Sequence, residues 1–125
     1  HTLKVILETG ELADPTLIDA AAVLAVAHGA DFIKTSTGKT AVSATPDATA
    51  IMLRVIHDAG RPVGLKPSGG IRTLTDAQQY LEQADAVMGA GWATPQTFRL
   101  GASGLLTALE AACEGDPTAE AGGPY

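Results

Sequence analysis

Two lysines, Lys34 and Lys66, stand where side-chain type and spacing could do chemistry. Each ends a short apolar run and is followed by a polar loop with glycines. The segments are Ala30-Asp31-Phe32-Ile33-Lys34-Thr35-Ser36-Thr37-Gly38-Lys39 and Val63-Gly64-Leu65-Lys66-Pro67-Ser68-Gly69-Gly70-Ile71-Arg72. A lone ammonium at the end of a buried strand is poorly solvated, so a pair of them calls for a role. Schiff-base chemistry is one such role, and it needs a neutral amine. An ordinary lysine, with a pKa of about 10.4, is neutral in roughly one molecule in 2,500 at pH 7. A second ammonium about 6 Å away, at an effective dielectric near about 20, costs about 2.8 kcal/mol and so lowers a pKa by about 2. Partial desolvation pushes the same way. A lysine pair can therefore supply one nucleophile and one proton-handling partner. Spacing alone leaves the plain alternative open, in which one lysine pairs with a buried carboxylate.

The loops beside the lysines suit a small anion. Gly38, Gly69 and Gly70 allow the backbone to approach a ligand and turn N–H groups toward it. Gly101-Ala102-Ser103-Gly104 opens the last helix, whose N-terminus favours negative charge. The 125-residue chain carries a net charge of −6 and only eight lysines and arginines. Four of these, Lys34, Lys39, Lys66 and Arg72, fall in the two lysine segments. An acidic chain that gathers its scarce cations there is expected to bind a small anion there; the alternative is that loops are simply polar. The charge excludes general binding to nucleic acid or to an acidic membrane surface. Together these features suggest amine chemistry on a phosphorylated carbonyl compound.

Strands and helices must alternate to position these groups. Leu3 to Glu8, Asp31 to Lys34, Val63 to Lys66 and Ala86 to Gly89 are expected strands. The first helix begins at Pro15, with Asp14 as N-cap, and ends at Gly29. Thr45-Pro46 opens a second, with Ala48, Ile51, Met52, Val55, Ile56 and Ala59 at helical spacing, closed by Gly60. Thr75 with Gln78 reads as a capping box for a third helix. Thr94-Pro95 reads as a short turn, and Ser103 to Cys113 as the last helix. This is an α/β chain with parallel strands, nearly all apolar, as strands covered on both faces are. Four β/α units are half of a (β/α)8 TIM barrel, which needs about 250 residues. A complete small open-sheet domain is the alternative. Residues 1–113 are read as the half-barrel and 114–125 as a mobile tail.

The remaining residues bound the function further. At 46% hydrophobic the chain can bury a core. One cysteine, Cys113, precludes an internal disulfide framework and is expected to be packed and inert. His28 and His57 show no metal-ligand spacing. Glu8, at the end of its strand, is a candidate for a polar network near the lysines. Trp92 is expected beside the last loop. No long apolar run and no signal peptide are seen, which makes the cytoplasm the expected compartment.

At these residues the sequence resembles the deoxyribose-phosphate aldolase family from about Leu3 to Leu109. The likeness lies in L-K-V-I-L-E-T-G-E-L, G-A-D-F-I-K-T-S-T-G-K, G-L-K-P-S-G-G-I-R and W-A-T…F-R-L-G-A-S. The resemblance implies a (β/α)8 barrel, of which this chain would supply approximately strands 5–8. It implies a class I aldolase that cleaves 2-deoxy-D-ribose 5-phosphate reversibly to D-glyceraldehyde 3-phosphate and acetaldehyde, with no metal and no organic cofactor. Lys34 matches the Schiff-base lysine, and Lys66 the second lysine that perturbs it and assists proton transfer. Gly38, Lys39, Gly69, Gly70, Arg72, Gly101 and Ser103 match positions around the substrate phosphate. Tyr125 matches a mobile C-terminal tyrosine that helps protonate the enamine. The family's catalytic aspartate lies in the first half of the barrel, outside this chain, and Asp31 should not replace it. Gly104 stands where the family often has a second serine. Lys4 matches an inward-facing strand position. The implied partners are the sugar phosphate and aldehyde, the N-terminal half of the barrel as a separate or missing chain, and further copies of the whole enzyme. The alternative functions are a non-catalytic phosphosugar-binding or assembly fragment and, more distantly, another Schiff-base lyase.

Overall fold

A computed structural model describes residues 1–115; the expected tail beyond Gly115, with Tyr125, lies outside the described residues. Three short strands, β1 (Lys4–Ile6), β2 (Phe32–Lys34) and β3 (Gly64–Lys66), form a parallel sheet in the order β1-β2-β3. The helices are α1 (Thr9–Leu12), α2 (Pro15–Ala27), α3 (Pro46–Asp58), α4 (Leu74–Met88) and α5 (Leu105–Cys113). The register sets Lys4, Phe32 and Gly64 side by side, and one step further Ile6, Lys34 and Lys66.

Side chains alternate across a sheet, so these two rows share one face and Val5, Ile33 and Leu65 take the other. The second face is the packed one. Ile33 and Leu65 are fully buried in a core with Ile18, Ala22, Met52, Leu53, Ile56 and Tyr80 from α2, α3 and α4. Phe32 is buried but lies outside that core, on the lysine face. Ile6, on the same face, is 44% exposed. Helices therefore cover one side of the sheet and leave the lysine side open. Both ends of the helical layer also carry exposed apolar side chains: Leu17, Val23 and Leu24 on α2, and Leu106 and Leu109 on α5.

Helix starts follow local chemistry. Asp14 accepts a hydrogen bond from the Thr16 N–H, and Thr45 from the Ala48 N–H, with proline at the first helical position of each. The capping box of α4 lies two residues earlier than expected. Thr73 accepts from the Asp76 N–H, and the Asp76 carboxylate accepts from the N–H groups of Thr73 and Arg72. Thr75 and Gln78 are already inside the helix, because the Thr73–Asp76 pair satisfies the first free amides. Burial raises the Asp76 pKa, but hydrogen bonds from Arg72 and Thr73 and the Arg72 charge outweigh it and hold the carboxyl below its ordinary value. Its stabilising contribution is thus complete above the ordinary carboxylate range and is lost as pH falls through the lowered value. Asp76→Asn should cost about 1 kcal/mol at pH 7. Thermal melts should show that cost beginning to shrink below about pH 4, where the unfolded carboxyl takes up its proton first, and disappearing once pH falls through the lowered native value.

The strand expected at Ala86–Gly89 is helix. Ala77, Tyr80 and Ala84 face the core at helical spacing, and Val87 and Met88 continue that face to Gly89, which ends α4 at φ 95°. The chain rejoins the sheet later, beside β3. Leu65 N–H donates to Thr97 and its carbonyl accepts from Arg99 N–H; Pro67 carbonyl accepts from Gly101 N–H. Bridges pair Leu65 with Phe98 and Ser68 with Gly101, both parallel. Residues 97–101 thus take the fourth strand position, after a turn opened by Thr94 as expected. Cys113 is exposed on the last turn of α5 and is not packed as expected, because the core face of that helix is taken by Leu105 and Ala108.

Candidate active site

Lys34 and Lys66 are the last residues of β2 and β3 and face each other in register. Neighbouring strands lie about 4.8 Å apart, so the two stems rise side by side from the open face. Each lysine is half-buried. Below them, the Phe32 ring lies against Gly64, where a Cβ would collide with the ring. Lys4 Nζ stands 6.0 Å from the centre of that ring and the Arg99 guanidinium carbon 4.8 Å from it, both within reach of its electron-rich face. Four cations thus share one face of a sheet in an acidic chain.

The segments after the three strands are bound to one another. Leu7 N–H donates to the Lys34 carbonyl, Thr9 N–H to Thr35, and Thr35 N–H to the Lys66 carbonyl. The buried Thr35 hydroxyl donates to the Ser68 carbonyl and accepts from the Ser68 N–H at 3.0 Å. Gly69 N–H donates to the Gly101 carbonyl at 3.0 Å, joining the β3 loop to the segment before α5. Gly69, at φ +89°, lies against Ser43 and close to Gly38, so a side chain there would push the loops apart. Gly38 and Gly70 also take positive φ, 80° and 77°. The structure therefore gathers Gly38, Lys39, Gly69, Gly70, Gly101 and Ser103 on the loops at the end of the sheet that carries the lysines. Lys39, Gly70, Arg72 and Ser103 are exposed there. Tyr125 lies outside the described residues.

Glu8 does lie in a polar network, as its position suggested. Its carboxylate accepts from the Thr37 hydroxyl at 2.7 Å, from the Thr37 N–H at 3.2 Å and from the Thr40 hydroxyl at 3.1 Å. The Thr37 hydroxyl is the main cause holding the Glu8 carboxyl below its ordinary value; burial opposes it, while the Thr37 amide, Thr40 and the charge of Lys34 assist. Sequence spacing did not reveal the short helix α1, whose Gly10 touches the Val42 carbonyl and seats the loop between β2 and α3. That contact depends on tertiary structure; the glycine was its only trace. Trp92 packs against the core beside the turn before residues 97–101. His28 and His57 are exposed, and among the described residues no cluster of metal-ligating side chains occurs. Nor, among them, is any helix long and apolar enough to cross a membrane.

The geometry agrees with the chain's likeness to known proteins. It is 55% identical over 122 residues to the deoxyribose-phosphate aldolase of Agrobacterium fabrum (strain C58), an alignment covering 97% of this chain and 47% of that protein. A crystal structure from Toxoplasma gondii ME49, provisionally named deoxyribose-phosphate aldolase, superposes with a TM-score of 0.83 at 28% identity, covering 94% of this chain and 48% of the other. A similarly named structure from Coccidioides immitis gives a TM-score of 0.72 at 35% identity, covering 89% of this chain and 39% of the other. The chain thus spans about half the length of the relatives it matches. The family model of DeoC/LacD aldolases matches residues 1–111, nearly the whole described region, and the chain belongs to that family.

Proposed function

We propose that the chain is the lysine-bearing half, strands 5–8, of a (β/α)8 class I aldolase. The reaction would cleave 2-deoxy-D-ribose 5-phosphate reversibly to D-glyceraldehyde 3-phosphate and acetaldehyde. The observation that carries this reading is the register that sets Lys34 beside Lys66 at the C-terminal ends of adjacent parallel strands. Active residues of barrels project at that end.

In this reading the neutral Lys34 amine adds to the C1 aldehyde and loses water to give an iminium ion. The iminium draws in the electron pair released when the C2–C3 bond breaks, as the C3 hydroxyl gives up its proton. Glyceraldehyde 3-phosphate departs, and the remaining enamine is protonated at C2 and hydrolysed to acetaldehyde and free Lys34. Lys66 is the neighbouring lysine that assists proton transfer. The iminium is itself the electron sink, so the reading calls on neither a metal nor an organic cofactor. Gly38, Lys39, Gly69, Gly70, Arg72, Gly101 and Ser103 would hold the phosphate, and Tyr125 would assist enamine protonation. A cytoplasmic setting, where sugar phosphates are retained, belongs to the same reading.

The open lysine face, the exposed apolar ends of the helical layer and the half-length coverage of relatives support a further part of the proposal. The active particle contains four more β/α units, in the same or a separate chain, and the whole enzyme associates with copies of itself. Native mass spectrometry of the particle, with a coupled assay for glyceraldehyde 3-phosphate, tests this. Turnover should appear when the complementary half-barrel is present and be absent from the 125-residue chain alone. The openness of the lysine face favours one other reading, a phosphosugar-binding or assembly fragment. Sugar-phosphate binding without turnover, even with the complementary half supplied, would replace the aldolase reading with it.

A further inference from the structure

Glu8 is fixed more tightly than a loop residue usually is. On either side of it, Leu7 N–H donates to the Lys34 carbonyl and Thr9 N–H to the Thr35 carbonyl, each at 2.9 Å. Its own backbone is left-handed, φ 55° and ψ 61°, although it is not glycine. Non-glycine residues take that conformation at a cost, and it persists where the surroundings over-determine it. Here both flanking amides do so, and the carboxylate then meets the loop that follows β2.

Both carboxylate oxygens are used. Oε2 accepts from the Thr37 hydroxyl and amide, and Oε1 from the Thr37 amide at 3.3 Å and from the Thr40 hydroxyl, which it shares with the Val42 carbonyl. Donating to Glu8 leaves the Thr37 oxygen free to accept, and it accepts from the Lys39 N–H at 3.2 Å. A chain of bonds thus runs from the end of β1 through Glu8 and Thr37 to Lys39, enclosing Gly38. Only a carboxylate offers two oxygens that both accept; an amide would turn one donor against the Thr37 N–H.

We propose that Glu8 is a positioning residue: it shapes the Thr37–Thr40 loop so that Gly38 and Lys39 present to the substrate phosphate. This rests on the reading of that loop as part of the phosphate site. A negative side chain beside an anion site would otherwise weaken binding; here its charge is spent on three donors of the loop.

The test uses the assembled enzyme, this chain with its complementary half, carrying Glu8→Ala or Glu8→Gln. In Glu8→Ala, amide exchange at Thr37 and Lys39 should quicken about tenfold or more, since charge-assisted hydrogen bonds are lost. KM for 2-deoxyribose 5-phosphate should rise about tenfold, and for unphosphorylated 2-deoxyribose less than about twofold. Glu8→Gln should fall between wild type and Glu8→Ala in both readouts. Unchanged exchange at Thr37 and Lys39 would overturn the proposal, as would an equal loss on both substrates. Should the assembly not turn over at all, titration with inorganic phosphate followed by amide chemical shifts decides. Weaker phosphate binding in Glu8→Ala, with shifts at Gly38 and Lys39 in the wild type, supports the clamp even if the aldolase reading fails. Equal phosphate binding in both proteins overturns it.

Discussion

Lys34→Ala, assayed with the complementary half-barrel present, should lower the rate of 2-deoxyribose 5-phosphate cleavage by about 10⁴-fold or more. Removing a covalent nucleophile removes the whole route, not one stabilising contact, and losses of that order are typical of nucleophile deletions. Lys66→Met should cost less, about 10²-fold to 10³-fold, because proton handling by one positioned group contributes about that much. The order of the two effects matters as much as their size. The two lysines are symmetrical in the sheet, each half-buried and each at a strand end, so packing alone gives no reason for unequal losses. Unequal losses in kcat, with chain stability held, would come from chemistry. A larger loss for Lys66→Met than for Lys34→Ala would reverse the assigned roles.

Gly64→Val should destabilise the fold by about 3 kcal/mol, near the upper end for overpacking a well-filled site. Gly64 is buried, and the Phe32 ring occupies the space a side chain would enter. That ring is in turn flanked by Lys4 and Arg99 and sits one row below the lysine pair. It can shift only by disturbing the row above it or by moving into solvent. Urea denaturation of the single variant and of the Phe32→Leu, Gly64→Val double variant checks this. The double variant should recover more than additivity allows, because neighbours that share one space couple. A Gly64→Val chain as stable as the wild type would mean that Phe32 does not lie over Gly64.

The features legible in the sequence were those set by local chemistry. Asp14-Pro15 and Thr45-Pro46 announced two helices because a cap and a proline act within a few residues. The strand ends at Lys34 and Lys66 were legible because an ammonium interrupts an apolar run at each. Their adjacency followed from β/α alternation, and the observed register bears it out. Where two local patterns compete, tertiary packing chooses between them. Ala86–Gly89 is apolar and ends in glycine, like a short strand, but its apolar positions extend the inner face of α4. The true return to the sheet, residues 97–101, holds Phe98, Arg99 and Leu100 after a turn; it is too short and mixed to stand out. Thr73 and Thr75 each precede a polar residue by three positions, and the amides of Arg72 and Thr73 decide for Asp76. The bonds from Glu8 to Thr37 and Thr40 span about thirty residues and need a left-handed glutamate, so no periodicity could announce them.

The proposed chemistry turns on one covalent bond, between Lys34 and an aldehyde. Incubating the assembled enzyme with acetaldehyde, reducing with borohydride and mapping peptides by mass spectrometry reads that bond directly. An N-ethyl group is expected on Lys34, absent when acetaldehyde or borohydride is omitted. An ethyl group confined to Lys66 or another lysine, or no adduct from an assembly that cleaves the sugar phosphate, would contradict it.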